Sequence, residues 1–271
     1  MNRTSSKLSH ITRATAACIA ALGAAATAQA QTVKQPPPVA APAPATAPVT
    51  PLDNQWHGGI SIGGAAASGN ASTLVLTAAA DGVKATAKDK ISLWGIANYG
   101  SSKNNGVKTT NNDSLRLGGR YDYNLTQSVF AFGTGEGETN KVAGLRSRIG
   151  ADVGAGYHLL QTPDTTFDVY AGVGAANVRY TDGRSASGAE LLFGEQSSHR
   201  LSSTTTFKQR LEFRPGTGDL GALTTFDAGL ATAISGTWTL NTGVTIRHAS
   251  KVPLGRKTTD ALLTVGFGYK Y

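Results

Sequence analysis

Between residues 54 and 271 the side chains change character with a period of two. Leu115, Leu117, Gly119, Tyr121, Tyr123 and Leu125 share one face, and Arg116, Gly118, Arg120, Asp122 and Asn124 share the other. Residues 148–159 repeat the arrangement, with Ile149, Ala151, Val153, Ala155, Tyr157 and Leu159 alternating with Arg148, Gly150, Asp152, Gly154, Gly156 and His158. A β-strand points successive side chains to opposite faces, so each segment reads as a strand with one apolar and one polar face. Each runs ten or more residues, near the length that a tilted strand needs to cross hydrocarbon. A soluble sandwich also alternates, but it encloses the apolar face. A membrane barrel turns the apolar face outward to lipid and encloses the polar one.

The rest of the chain favours the second arrangement. Beyond residue 30 there is no run of eighteen apolar residues, so no spanning helix is available. In lipid the backbone satisfies its polar groups only in helices or closed barrels, which leaves a barrel. The apolar faces are built largely of Ala, Val and Gly. Short polar links recur at Thr86–Lys88, Thr126–Gln127, Gln161–Thr165, Ser202–Thr204 and Ser235–Thr237. Between them fall connections expected to be longer, at Gly69–Ala71, Lys103–Asn111, Asn140–Arg146, Thr181–Ser187, Gly216–Gly221 and Pro253–Thr258. The expectation is an all-β fold, a single antiparallel transmembrane β-barrel of about 12 strands from near His57 to Tyr271 with both termini periplasmic. Residues 187–214 are the stretch where one strand with a long loop competes with two strands.

The barrel occupies residues 54–271 and is preceded by two other segments. Residues 1–30 carry Arg3, Lys7 and Arg13, then an alanine-rich apolar stretch, then Ala28-Gln29-Ala30, the layout of a secretory signal peptide cut before Gln31. Export through the secretion translocon follows. Residues 31–53 form a Pro/Ala-rich linker, too poor in large apolar side chains to fold and stiffened toward polyproline II, here a periplasmic tether. The single cysteine, Cys18, is lost with the signal, so disulfides and thiolate-bound metals are excluded. Removing the signal leaves 22 basic against 17 acidic residues, a net charge of +5, with no Lys/Arg stripe of the kind that binds nucleic acid.

A search for chemistry finds little. His57, His158, His199 and His248 remain, in none of the local spacings that bind metal. No cofactor or catalytic residue is assigned, and the expectation is a non-enzymatic barrel. The alternative is a barrel enzyme acting on lipid, with His248 near Ser250 and Asp260 as its only candidates. Glu136 and Glu138, with Glu190 and Glu195, could do acid–base work or could balance cations inside the barrel. Arg116, Arg120, Arg148, Lys208, Arg210, Arg214, Arg247 and Lys270 are expected to line the lumen with Asp122, Asp152, Glu212 and Asp227. Enclosed charges must be paired or solvated, so the interior is a salt-bridged core or a narrow wet passage for small solutes or ions. Eight basic against four acidic residues in this set would favour anions, an inference weakened by the glutamates near the mouth. Trp56, Tyr99, Tyr121, Tyr123, Tyr157, Phe167, Trp238, Tyr269 and Tyr271 fall near strand ends, where aromatic side chains form interfacial girdles.

The closing stretch Thr264-Val265-Gly266-Phe267-Gly268-Tyr269-Lys270-Tyr271 resembles the C-terminal insertion signal of outer-membrane barrels, matched at Thr264, Gly266, Tyr269 and Tyr271. The resemblance implies the barrel-assembly machinery as a partner, with outer-membrane lipid. Trp56-His57-Gly58-Gly59, Ala67-Ser68-Gly69-Asn70, Arg120-Tyr121-Asp122, Gly154-Ala155-Gly156-Tyr157 and Gly266-Phe267-Gly268-Tyr269 further make the region from Trp56 onward similar to a family of salt-induced outer-membrane proteins, a domain family of unknown function. It implies a Gram-negative cell-envelope barrel responsive to salt stress, and it carries no catalytic residues to transfer.

Overall fold

The computed structural model describes residues 51–67, 71–104 and 107–271. The expected signal peptide, the linker up to residue 50 and the 68–70 part of the first hairpin motif lie outside the described residues. Twelve strands follow one another: β1 (Trp56–Ala67), β2 (Ala71–Ala85), β3 (Asp89–Asn104), β4 (Val107–Asn124), β5 (Val129–Asn140), β6 (Leu145–Gln161), β7 (Thr165–Tyr180), β8 (Ser185–Arg200), β9 (Thr205–Pro215), β10 (Ala222–Ala233), β11 (Trp238–Ala249) and β12 (Thr259–Lys270). Each pairs antiparallel with its neighbours in the chain, and β12 pairs with β1 to close the barrel. Closure removes every open sheet edge.

Alternation decides the faces. Leu117, Val153 and Val265 are 50%, 62% and 44% exposed on the outside, whereas Arg120 and Asp152 are 7% and 5% exposed within. A water-soluble barrel would reverse these positions. The wall is apolar outward and charged inward, as a transmembrane barrel requires.

An even number of strands returns both ends to one rim, which also carries turns 86–88, 125–128, 162–164, 201–204 and 234–237. The opposite rim carries turns 141–144, 181–184, 216–221 and 250–258. The expected contrast between short and long connections therefore holds only in part. Turns 141–144 and 181–184 are as short as several on the other rim, with Gly144 and Gly183 at φ of +81° and +90° reversing the chain. In turn 181–184 the Arg184 backbone N–H, and then its guanidinium, hold the Asp182 carboxyl below the usual carboxylate range.

The expected loop Lys103–Asn111 is also largely ladder, since Lys103 faces Lys108 and Ser101 faces Thr110 across a bulge after Gly100. Its polar side chains mislead because strands that run on beyond the lipid keep their backbone pairing without needing an apolar face. Residues 187–214 form two strands, β8 and β9, joined at 201–204.

The closing seam is short. β1 and β12 register through four residue pairs, Gly59–Ile62 against Phe267–Lys270, where β8 and β9 share eight. Gly58 and Tyr271 extend it with reciprocal backbone hydrogen bonds of 3.2 and 3.4 Å. The Tyr271 hydroxyl lies 2.9 Å from the point where a Cβ on Gly58 would stand, so a side chain at Gly58 would displace the terminal ring.

Candidate functional site

The inner face is a lattice of opposite charges. Arg116 on β4 reaches Glu136 on β5 at 2.7 Å and Asp227 on β10 at 3.2 Å. Asp227 also takes Arg210 of β9 at 3.1 Å and accepts a hydrogen bond from Thr245. Arg247 on β11 meets Glu138 on β5, and Arg148 on β6 meets Glu190 on β8. Arg214 lies between Glu212 at 2.9 Å and Asp152 at 3.5 Å, and Tyr170 donates to Glu212 at 2.9 Å. Arg120 and Lys90 both bind Asp122, and the Arg120 guanidinium lies 4.1 and 4.2 Å from the ring centres of Phe132 and Tyr170. Lys208 lies within electrostatic reach of Asp81, Lys90 and Lys270.

Some of these contacts cross the lumen. In a ring of twelve strands β4 and β10 stand opposite, as do β5 and β11, and β3 and β9. Arg116–Asp227, Arg247–Glu138 and the Arg210 guanidinium 5.1 Å above the Trp94 ring join those opposite walls. Twelve strands about 4.8 Å apart and tilted about 40° would enclose a circle about 24 Å wide. An extended arginine and a carboxylate side chain reach about 15 Å between them, so the cross-section is oval, with β3–β5 facing β9–β11 over its narrow dimension.

The two lobes beside the lattice differ. Toward β6–β8, Phe130, Phe132, Tyr170 and Leu192 form one buried cluster. Ala176, Val178 and Ala186 form another, capped by Leu220 from a single turn of 3-10 helix at Gly218–Leu220. The rings fit because inner-wall positions beside them lack side chains: a Cβ on Gly156 would meet the Phe130 ring, and one on Gly194 the Tyr170 ring. Toward β12–β1–β2 many inward positions are small and buried, Thr264, Gly266 and Gly268, then Gly59, Ser61 and Gly63, then Val75, Thr77 and Ala79, with Asp81 and Lys270 on the same faces.

The anion-favouring excess expected from sequence is corrected by Glu136, Glu138 and Glu190, which pair with Arg116, Arg247 and Arg148 and were absent from that tally. Sequence reasoning also missed the inward aromatics. Phe130 and Phe132 share parity with Glu136 and Glu138, and Tyr170 with Asp168, so a charged residue of the same parity two to six positions along was the available signal.

Of the residues expected from sequence to form an assembly signal, Thr264 faces inward and donates to the Gly243 carbonyl at 3.0 Å, and Gly266 also faces inward. Tyr269 faces outward, edge-on to Trp238 at 5.7 Å, and the Tyr271 hydroxyl donates to the Asp81 carbonyl at 3.3 Å.

The lipase-like candidates do not assemble. His248 bonds Thr259 at 2.8 Å, Ser250 accepts the Ala222 amide, and Asp260 stands opposite Arg247 in the strand register. A different set meets on the outer wall of β7–β9: His199 contacts Ser197 at 3.2 Å and Thr165 at 3.3 Å, with Glu195 3.4 Å from Gln209. Ser197 is buried, its amide is committed to the strand ladder, and the Gln209 side-chain amide opposite it is turned to Glu195. Among the described residues no cluster of three or more His, Cys, Asp or Glu is placed to hold a metal ion.

A closed, apolar-skinned wall around a charge-bridged lumen defines a transmembrane β-barrel of the outer-membrane kind. Residues 60–271 match the family described as "Protein of unknown function, DUF481", and the chain belongs to that family. Among solved structures it is similar to the NanC porin (11% identity, 79% of this chain and 100% of that chain, TM-score 0.47). It is also similar to the translocator domain of autotransporter NalP from Neisseria meningitidis (12% identity, 81% of this chain and 91% of that chain, TM-score 0.43). No curated protein matches the chain.

Proposed function

We propose that the protein is a non-enzymatic outer-membrane barrel that passes small solutes or ions along a narrow wet path in its lumen. The observation that carries this reading is that charged side chains enclosed by the wall keep partial exposure, Arg210 and Asp227 at 23% and 27%. Residues 1–30 act as the export signal, residues 31–53 as a periplasmic linker, and both barrel ends face the periplasm. Thr264, Gly266, Tyr269 and Tyr271 serve as the assembly signal. Because each arginine of the lattice has a carboxylate beside it, the path discriminates weakly between cations and anions.

Planar-bilayer recording of protein extracted from membranes tests the reading. Small unitary conductance with a reversal potential near zero across a salt gradient is expected. Ala79→Phe, on the small-residue wall, should reduce it severalfold, and Arg116→Ala should raise it. An insulating wild-type protein, or one indifferent to Ala79→Phe, rejects the proposal. A role under salt load, implied by the family resemblance, predicts that protein abundance rises with external salt, and a constant level removes it.

A further inference from the structure

The connection between β11 and β12, residues 250–258, does not stand clear of the barrel. In a ring of twelve strands the β11–β12 connection lies opposite the β5–β6 connection, yet the two touch. The Pro253 ring sits over Gly144, where a Cβ would stand 2.8 Å from Pro253 Cγ and 3.3 Å from Arg256 Cγ. Pro253 is buried there. The β7–β8 connection holds the loop as well. The Tyr180 hydroxyl donates to the Lys251 carbonyl and the Arg184 guanidinium to the Val252 carbonyl, each at 3.3 Å. These two turns form one seat, because the Gly144 carbonyl accepts from the Thr181 amide at 2.9 Å. A loop of this length reaches about 15 Å out and back, the same span that the ion pairs across the lumen bridge.

The loop is divided into a fixed stem and a loosely held tip. At the stem the Ala249 amide donates to the Thr258 carbonyl at 2.8 Å, and Ser250 exchanges hydrogen bonds with Ala222 at 2.9 and 2.7 Å. The tip is a closed turn, with the Arg256 amide on the Pro253 carbonyl at 3.1 Å and Gly255 at φ of +78°. Leu254 projects from it fully exposed. Two side-chain hydrogen bonds and the proline contact join tip to seat, far less than a strand ladder provides, and segments held so lightly open locally while the rest stays folded.

We propose that residues 251–257 are a lid hinged at Ser250 and Thr258. Docked, it crosses the mouth opposite the chain termini above the Arg247–Glu138 bridge, which joins the same two walls. Released, it uncovers the lumen. Its work as a gate rests on the passage reading; its docking does not.

Leu254→Cys and Lys141→Cys, both exposed, carry spin labels in a chain also lacking Cys18. Each site lies within three residues of the Pro253–Gly144 contact, so the docked lid holds the two backbones within about 20 Å. A dominant distance in that range is expected. Tyr180→Phe with Arg184→Ala should at least double the fraction of longer distances. In bilayers, joining the two cysteines with a short bismaleimide should lower conductance severalfold, and deleting residues 252–256 should raise it. Heat-modifiable mobility on gels shows which proteins fold. The cross-linked protein changes only surface positions and serves against its own unlinked form should the deletion fail to fold. A broad distribution with the seat intact, or distances unmoved by the double variant, overturns the lid. Conductance that is present but equal in linked, unlinked and shortened proteins rejects the gate alone. Insulation in every form, the deletion included, rejects the passage reading and the gate with it.

Discussion

Asp227 shows how much a single residue of this interior does. It accepts from two guanidinium groups, Arg116 across the lumen and Arg210 beside it, and from the Thr245 hydroxyl. Removing one member of an enclosed pair leaves the other charge uncompensated, a loss of about 3–5 kcal/mol. Asp227→Ala is expected to lower the urea midpoint of the barrel in lipid vesicles accordingly, and Asp227→Asn nearly as much, since the amide keeps the shape and loses the charge. An unchanged midpoint would show that water in the lumen already solvates these arginines. The inward charges were legible in sequence because most occupy the parity opposite to Leu, Val or Tyr on the same strand. Their partners were not: Arg116 and Asp227 are 111 residues apart, and only ring closure makes β4 and β10 face one another.

Strands were more legible than their ends. Alternation fixes what a strand is, and turn residues fix roughly where it stops, so twelve segments could be counted. Polar extensions such as residues 101–104 of β3 were invisible because they alternate weakly while still pairing with β4. The outer face of β8 raises a different question, because Ser197, His199 and Thr165 form a hydrogen-bonded chain where lipid esters are near. With Ser197 buried and the Gln209 amide engaged by Glu195, this chain is expected to be inert, an interfacial polar set of the kind tolerated near strand ends. Ester hydrolysis by the wild-type protein should therefore equal that of His199→Ala, measured on phospholipid in mixed micelles. Activity that disappears in His199→Ala would restore the enzyme alternative at a site the sequence did not indicate. For β12, Tyr271→Ala removes both the terminal aromatic and the hydroxyl bond to Asp81. It should reduce the fraction of heat-modifiable folded protein in the membrane, and a normal fraction contradicts the assembly role.

At the scale of the whole molecule, closure is the weakest join in the wall. β6 and β7 share fifteen registered pairs and β1 and β12 share four, so separating the ends of the chain breaks fewer ladder bonds than opening the sheet between β6 and β7. The lattice inside works against that separation from a distance, because its pairs tie β4 to β10 and β5 to β11, while among the described residues none of the close ion pairs within the lumen joins β1 to β12. Unfolding is therefore expected to begin at this seam. Ile62 and Phe267 are registered partners, and both point outward at 67% and 61% exposure. Directly opposed strand residues are about 4.5–5.5 Å apart at Cα, within the range a disulfide spans. Ile62→Cys with Phe267→Cys, in a chain also lacking Cys18, should on oxidation raise the temperature at which the folded gel band is lost. Val153→Cys with Val173→Cys, an outward pair in the long β6–β7 seam, should raise it much less. Equal gains from the two cross-links would mean that the twelve seams open together, and that the short closure is held by something other than its four pairs.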